Sequence, residues 1–334
     1  MAGNYLKPAA LVLALAAVTL SLPGKDRDKP EVSEPVTYTG ISDASGAVPM
    51  GTNYFAVADD EDNCLRIYRR KEGGPPVKII NLARSLGLDP KHPELDLEAA
   101  ARIDDVAYWM SSHSANYLGK YRYSRHSFFA TTIKASPDGG DLVLLGQPYH
   151  QLQEDMLSAP TLRRFNLATA ALKPPKEPGA FNIEGLSATP DKKLLIGFRN
   201  PIPGGKALLV PFLNPQEVIQ GKTARFGEPI LLDLGGLGVR DISWWDGTYV
   251  IIAGAASAKS AFRLYFWSGG TAEPEVVKGV HFKGLTPEGI VIYPDKGLRK
   301  IQIISDDGTR LIAGVTNKAR LLTERTFRSV WVKP

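Results

Sequence analysis

The stretch Asn182-Ile183-Glu184-Gly185-Leu186-Ser187 decides how the rest of the chain is read. An acid is followed by a small residue and then by an apolar run. Leu194-Leu195-Ile196-Gly197-Phe198, Ala207-Leu208-Leu209-Val210-Pro211 and Ile230-Leu231-Leu232 come next, separated by Gly, Pro, Asp and Asn. Short apolar or alternating runs with such breaks are strands. The same order of events recurs from Ser42-Asp43-Ala44, from Leu97-Glu98-Ala99, from Arg240-Asp241-Ile242 and from Pro287-Glu288-Gly289. The last unit continues with Ile301-Gln302-Ile303-Ile304, Leu311-Ile312-Ala313-Gly314-Val315 and Phe327-Arg328-Ser329-Val330-Trp331. Four strands per unit with a period of about fifty residues is the pattern of propeller blades. Small residues such as Gly185 and Gly289 are expected where innermost strands crowd around an axis.

The expected fold is therefore an all-β, five-bladed β-propeller over residues 36–334. A pair of β-sandwiches is the alternative that the five-fold repetition disfavours. Val36-Thr37-Tyr38-Thr39 precedes the first unit and is expected to pair with the last blade, which would close the ring and remove an open edge. The period breaks at about 150–181. Gln151 to Leu157 reads as helix and Lys173-Pro174-Pro175-Lys176 as loop, so this is a partly helical insertion, with a degenerate sixth blade as the alternative.

Composition agrees with a turn-rich globular protein. The 334 residues include 32 Gly, 25 Pro and a single Cys, with 40 Lys+Arg against 35 Asp+Glu. One cysteine excludes an intrachain disulfide and any multi-thiolate zinc or iron–sulfur site. There is no Lys/Arg stripe interleaved with stacking aromatics, so no nucleic acid is expected as a partner. Lys7 leads into an apolar run from Pro8 to Leu22, which ends at Pro23-Gly24. That run is short for a membrane span and fits a secretory signal or anchor at residues 1–24, followed by a charged linker at 25–35. The protein is expected to be exported, periplasmic or extracellular. It is expected to be a monomer with no further membrane span, acting on a small-molecule or envelope ligand.

Blade geometry brings the starts of the innermost strands to one face, together with the loops between second and third strands. The strand-start acids Asp43, Glu98, Glu184, Asp241 and Glu288 are expected to gather there. The loops add Asp59-Asp60-Glu61-Asp62-Asn63, Ser112-His113-Ser114, Arg199-Asn200-Pro201 and Ser305-Asp306-Asp307-Gly308. Carboxylates ringed on one axis repel each other and must protonate, pair with cations or bind a metal. Oxygen-only ligands on loops suit Ca²⁺. The plainer reading is that these acids cap turns and accept bonds from backbone amides. Arg199 and Arg240 either pair with the acids or hold substrate negative charge. His113 is the candidate general acid or base. No zinc-hydrolase spacing and no phosphate loop is present.

Ile41 to Ser45, Ala58 to Tyr68, Asn182 to Leu186, Gly197 to Pro201 and Leu232 to Ile242 together resemble a bacterial propeller family known only as a domain of unknown function. The Glu-Gly strand starts at Glu184 and Glu288 are also similar, more distantly, to the propeller family with esterase-like activity of phytase. The second resemblance implies a propeller and hydrolysis of a phosphate or carboxylate ester. Taken with the ring of acids, the expected function is a metal-assisted hydrolase. A non-catalytic propeller that binds an envelope ligand is the alternative from a different class.

Overall fold

The computed structural model describes residues 29–257, 261–295, 297 and 299–334. The expected signal at 1–24 lies outside the described residues. Five antiparallel sheets follow one another along the chain. Blade one is Ala44–Met50, Tyr54–Asp59, Cys64–Arg69 and Lys78–Asn81; blade two is Leu97–Ile103, Val106–Ser111, Phe128–Lys134 and Asp141–Tyr149. Blade three is Asn182–Ala188, Leu194–Asn200, Ala207–Phe212 and Ile230–Leu232; blade four is Gly238–Trp245, Thr248–Gly254, Arg263–Trp267 and Glu275–Val276. Blade five takes Pro287–Val291, Ile301–Ser305 and Thr326–Lys333 from the end of the chain, and its outer strand from the beginning. Val36–Thr39 pairs with Thr326–Ser329, so the ring closes as the sequence pattern required. Glu31–Val32, inside the stretch read as a linker, also pairs with Val332 and Lys333.

The 150–181 stretch is the expected partly helical insertion and forms no sixth blade; it folds as helix Leu152–Ser158, 3-10 turn Pro160–Phe165 and helix Leu167–Ala170. Leu152 and Met156, one turn apart, bury the same face and join Leu162 and Leu167 in the core between blades two and three. Leu311 to Val315 is not the third strand of blade five. It folds into a separate small hairpin, Leu311–Ile312 with Val315–Thr316, and Thr326–Lys333 takes the third position. The eight-residue run of Thr326–Lys333 alternates inward and outward along the sheet, whereas Ala313-Gly314 forces a tight turn at positive φ.

Buried apolar residues gather into five clusters, each shared mainly by two neighbouring blades. Burial between flat sheets is the main source of stability in such a ring. Each innermost strand touches the next, from blade one round to blade five and back. Close approach at this seam explains two glycines. A Cβ on Gly185 would meet Val239 of blade four at 2.7 Å, and one on Gly289 would meet the Ser45 carbonyl of blade one at 2.7 Å. Among the described residues no helix is long and apolar enough to cross a membrane.

Candidate functional site

All five innermost strands carry a register irregularity near their start. The pairing skips between Leu97 and Ala99, Ile183 and Gly185, Val239 and Asp241, and Pro287 and Gly289. One residue is left over at each skip: Glu98, Glu184, Arg240 and Glu288. In blade one the skip falls at Ser45-Gly46. A β-bulge re-aims its extra residue out of the sheet. Here Glu98, Glu184, Arg240 and Glu288 all line one axial cavity of about 1310 Å³. A bulge on the second strand of blade three, between Asn200 and Phe198 in the pairing, adds Arg199 to the same wall.

This register changes the expected ring. Glu98, Glu184 and Glu288 take the predicted places. Blade four contributes Arg240 instead of Asp241; in blade one neither Asp43 nor the leftover Ser45-Gly46 lines the cavity, and Ser45 Oγ is turned to the Leu97 carbonyl. Aligning the units on their acids was wrong by one residue in blade four, because the bulge points Arg240 at the axis and turns Asp241 away. The Asp241 carboxylate is buried and accepts backbone N–H groups from Ile242 at 2.8 Å and from Ile290 of blade five at 2.6 Å. That is the amide-bonding role expected of an acid in a turn, used here to clip two blades together. Burial still pushes its carboxyl well up, against the pull of those amides.

The centre of the cavity is a lattice of opposite charges. Arg199 Nη1 lies 2.6 Å from Glu184 Oε1, and Arg240 Nη1 lies 2.9 Å from Glu184 Oε2. Arg240 also pairs with Glu288. Asn182 donates to Glu184 Oε1 at 3.0 Å. Glu184, Arg240 and Arg199 are all buried, so the pairs offset a large desolvation cost. The Nε–H groups of both arginines have no hydrogen-bond partner among the described residues. The lattice thus keeps two buried, unmet donors even though its charges are balanced. Neighbouring Glu98 has no such partner. Burial, then the charges of Glu184 and Asp96, push its carboxyl well up.

A second group of acids forms where blades one and five meet. Asp43, Asp60 and Glu61 bring one carboxylate oxygen each within 4.8 Å of one another. Asp60, Glu61 and Asp306 line the cavity. Asp43 is buried at its edge, where its Oδ2 accepts from Ser42 at 2.5 Å. Lys318 reaches Glu61 at 2.9 Å, but the buried Oδ1 of Asp60 accepts no hydrogen bond among the described residues. Burial, then Glu98, Asp306 and Asp43, push the Asp60 carboxyl well up. Burial and Asp43 raise Asp306 to about 7, and burial and Asp62 raise Asp59 to about 7. These carboxyls resist ionisation because they are buried and because neighbouring acids repel a further negative charge. An all-oxygen set drawn from two loops, with an orphaned oxygen, fits a hard divalent cation such as Ca²⁺.

His113 is placed elsewhere. It is buried behind the wall and is not among the residues that line the cavity. Its Nδ1 is 2.8 Å from the Ser111 carbonyl, and its own carbonyl accepts Gln153 Nε2 at 2.6 Å. Burial lowers it to about 4, and its neighbour His126 falls to about 3 for the same reason. The signal for the second acid group lay in the loop residues Asp60 and Asp306. That they meet depends on blade five returning beside blade one. Arg125, which pairs with Asp96 at 2.5 Å and with Glu94, had no sequence signal at all.

No curated protein matches the chain. Among solved structures, the PQQ-bound aldose sugar dehydrogenase of Streptomyces coelicolor is similar at 13% identity and a TM-score of 0.46, over 91% of this chain and 98% of that one. The glutaminyl cyclase of Myxococcus xanthus is similar at 11% and 0.46, over 90% and 96%. The exo-β-1,3-galactanase of Phanerochaete chrysosporium is similar at 9% and 0.47, over 91% and 64%. Likenesses of this size carry no chemistry to this chain. From the outer strand of blade two to the start of blade five, residues 145–285, the chain matches the family described as Protein of unknown function (DUF3616), the kind of propeller family that its strand-start motifs resemble.

Proposed function

We propose that the axial cavity is a divalent-cation-dependent hydrolytic site for phosphate or carboxylate esters. The observation that carries this reading is the meeting of Asp43, Asp60 and Glu61 at the rim of a cavity that also holds Arg199 and Arg240. A bound Ca²⁺ would supply Lewis-acid polarisation of an ester oxygen and a held water. Asp43, Asp60 and Glu61 would hold the ion. Arg199 and Arg240, which line the cavity, present positive charge to the substrate's charged oxygen, and Glu184 and Glu288 fix both guanidinium groups in advance. Asp306, which lines the cavity beside these acids, takes the acid–base role in place of His113. The proposal places the protein outside the cytoplasm, on the strength of the apolar run at residues 8–22.

A second reading, cation-dependent capture of an anionic ligand without turnover, is favoured by the buried, charge-balanced Arg–Glu lattice, which is built for rigid recognition. A panel of soluble phosphate and carboxylate esters, assayed with Ca²⁺ and with EDTA, separates the two. Turnover that needs Ca²⁺ and is lost in Asp60→Asn supports hydrolysis. Ca²⁺ binding without turnover of any ester supports capture.

A further inference from the structure

We propose that the mouth of the axial cavity docks on an anionic lipid surface. Three connections that open on the mouth face hold large apolar side chains in solvent. The 112–127 loop exposes Tyr117 (80%) and Leu118 (57%), the insertion exposes Leu172 (76%), and the connection leading to the last strand exposes Leu311 (67%) and Leu321 (71%). Tyr117 and Leu118 stand in the cavity wall, and so does Arg310 beside Leu311. The backbone at Gly119 lies against the Leu172 carbonyl, which joins the first two connections. Single exposed leucines need no explanation, but a set gathered round one opening does.

Positive charge surrounds the same opening. Lys91, Lys176 and Arg310 are exposed and Arg122 is half-buried; all four line the mouth, and none has a carboxylate partner among the described residues. Exposed acids nearby are already taken: Glu61 by Lys318, Glu94 by Arg125, Glu177 by Lys173 and Glu324 by Arg320. The outer mouth therefore presents apolar tips among four unpaired cations, while Asp60, Glu98 and Asp306 stand half-buried in the same lining. Leucine and tyrosine tips enter the acyl boundary while Lys and Arg meet lipid phosphates, and both contributions are needed for stable surface binding. A soluble glycan would have no use for the leucines. This inference does not depend on the proposed hydrolysis.

Flotation of the full chain with vesicles tests it, using phosphatidylcholine alone and phosphatidylcholine mixed with phosphatidylglycerol. The expected result is capture by the anionic vesicles only, weakening as salt is added. Leu118→Asp with Leu321→Asp lowers capture by about tenfold or more, and Lys176→Glu with Arg310→Glu does the same. Unchanged circular dichroism shows that these surface variants remain folded. Glu184→Gln, which disturbs the cavity floor, floats like the wild type, so failure of the catalytic reading leaves this one standing. No capture, equal capture by neutral vesicles, or variants captured as well as the wild type overturns the proposal. The last outcome would assign binding to another part of the chain, such as the apolar N-terminal run.

Discussion

Arg240, the leftover residue of the bulge in blade four, lies 2.9 Å from Glu184, the leftover residue of the bulge in blade three. Two residues freed from sheet pairing by the same local device thus neutralise each other on the axis. Removing one partner of a buried pair strands the other's charge and costs about 3–5 kcal/mol. Arg240→Met should lower stability in chemical denaturation by that amount. Arg240→Lys should recover only part of it, because one ammonium cannot match the forked geometry that engages both Glu184 and Glu288. A loss under 1 kcal/mol for Arg240→Met would show that the lattice is not what holds the axis.

Asp306 contributes to a fall in the stability of the metal-free protein with rising pH. Its carboxyl stands at about 7 in the fold, above the unfolded value near 3.9. The folded state therefore keeps this proton over a window in which the unfolded state has lost it. The advantage is complete below about pH 4 and is lost as pH rises through 7. Asp306→Asn removes this residue's share of the slope and leaves that of Asp59, which is raised to the same range. In EDTA, the melting temperature of the variant minus that of the wild type should rise across this window, by on the order of 5 °C. A difference independent of pH contradicts the assignment.

Asp241 should behave as a clip and not as a metal ligand. Its loss leaves the Ile242 and Ile290 amides without their acceptor, at about 1–3 kcal/mol. Asp241→Ala should melt earlier than the wild type yet gain as much from added Ca²⁺. A Ca²⁺ response lost with Asp241 would return this acid to the metal site.

His113 should leave the pH profile of any activity unchanged. Held at about 4 by burial, it is neutral throughout the neutral range and stands outside the cavity lining. His113→Gln should alter stability while both limbs of the profile above pH 5 stay in place. A displaced limb would restore it as an acid–base group.

The five-fold repeat, the closing strand Val36–Thr39 and the helical insertion were legible because periodicity of apolar residues reports sheets directly. The cavity was legible in part. Glu98, Glu184 and Glu288 were found because each precedes a small residue at the crowded axis; Asp43-Ala44 fits the same rule, yet the skip in blade one falls two residues later, at Ser45-Gly46. Arg240-Asp241 defeats the rule. Both residues are polar and the bulge alone selects between them, and a bulge has no composition of its own. The meeting of Asp60 with Asp306 joins residues almost the whole chain apart, so it becomes visible only once the ring is closed.

Titration of the EDTA-stripped protein with CaCl₂ by calorimetry tests the central claim most directly. The account predicts a saturable site in the wild type and in Asp241→Asn, and its loss in Asp60→Asn. No saturable binding by the wild type, or equal binding by Asp60→Asn, would contradict it.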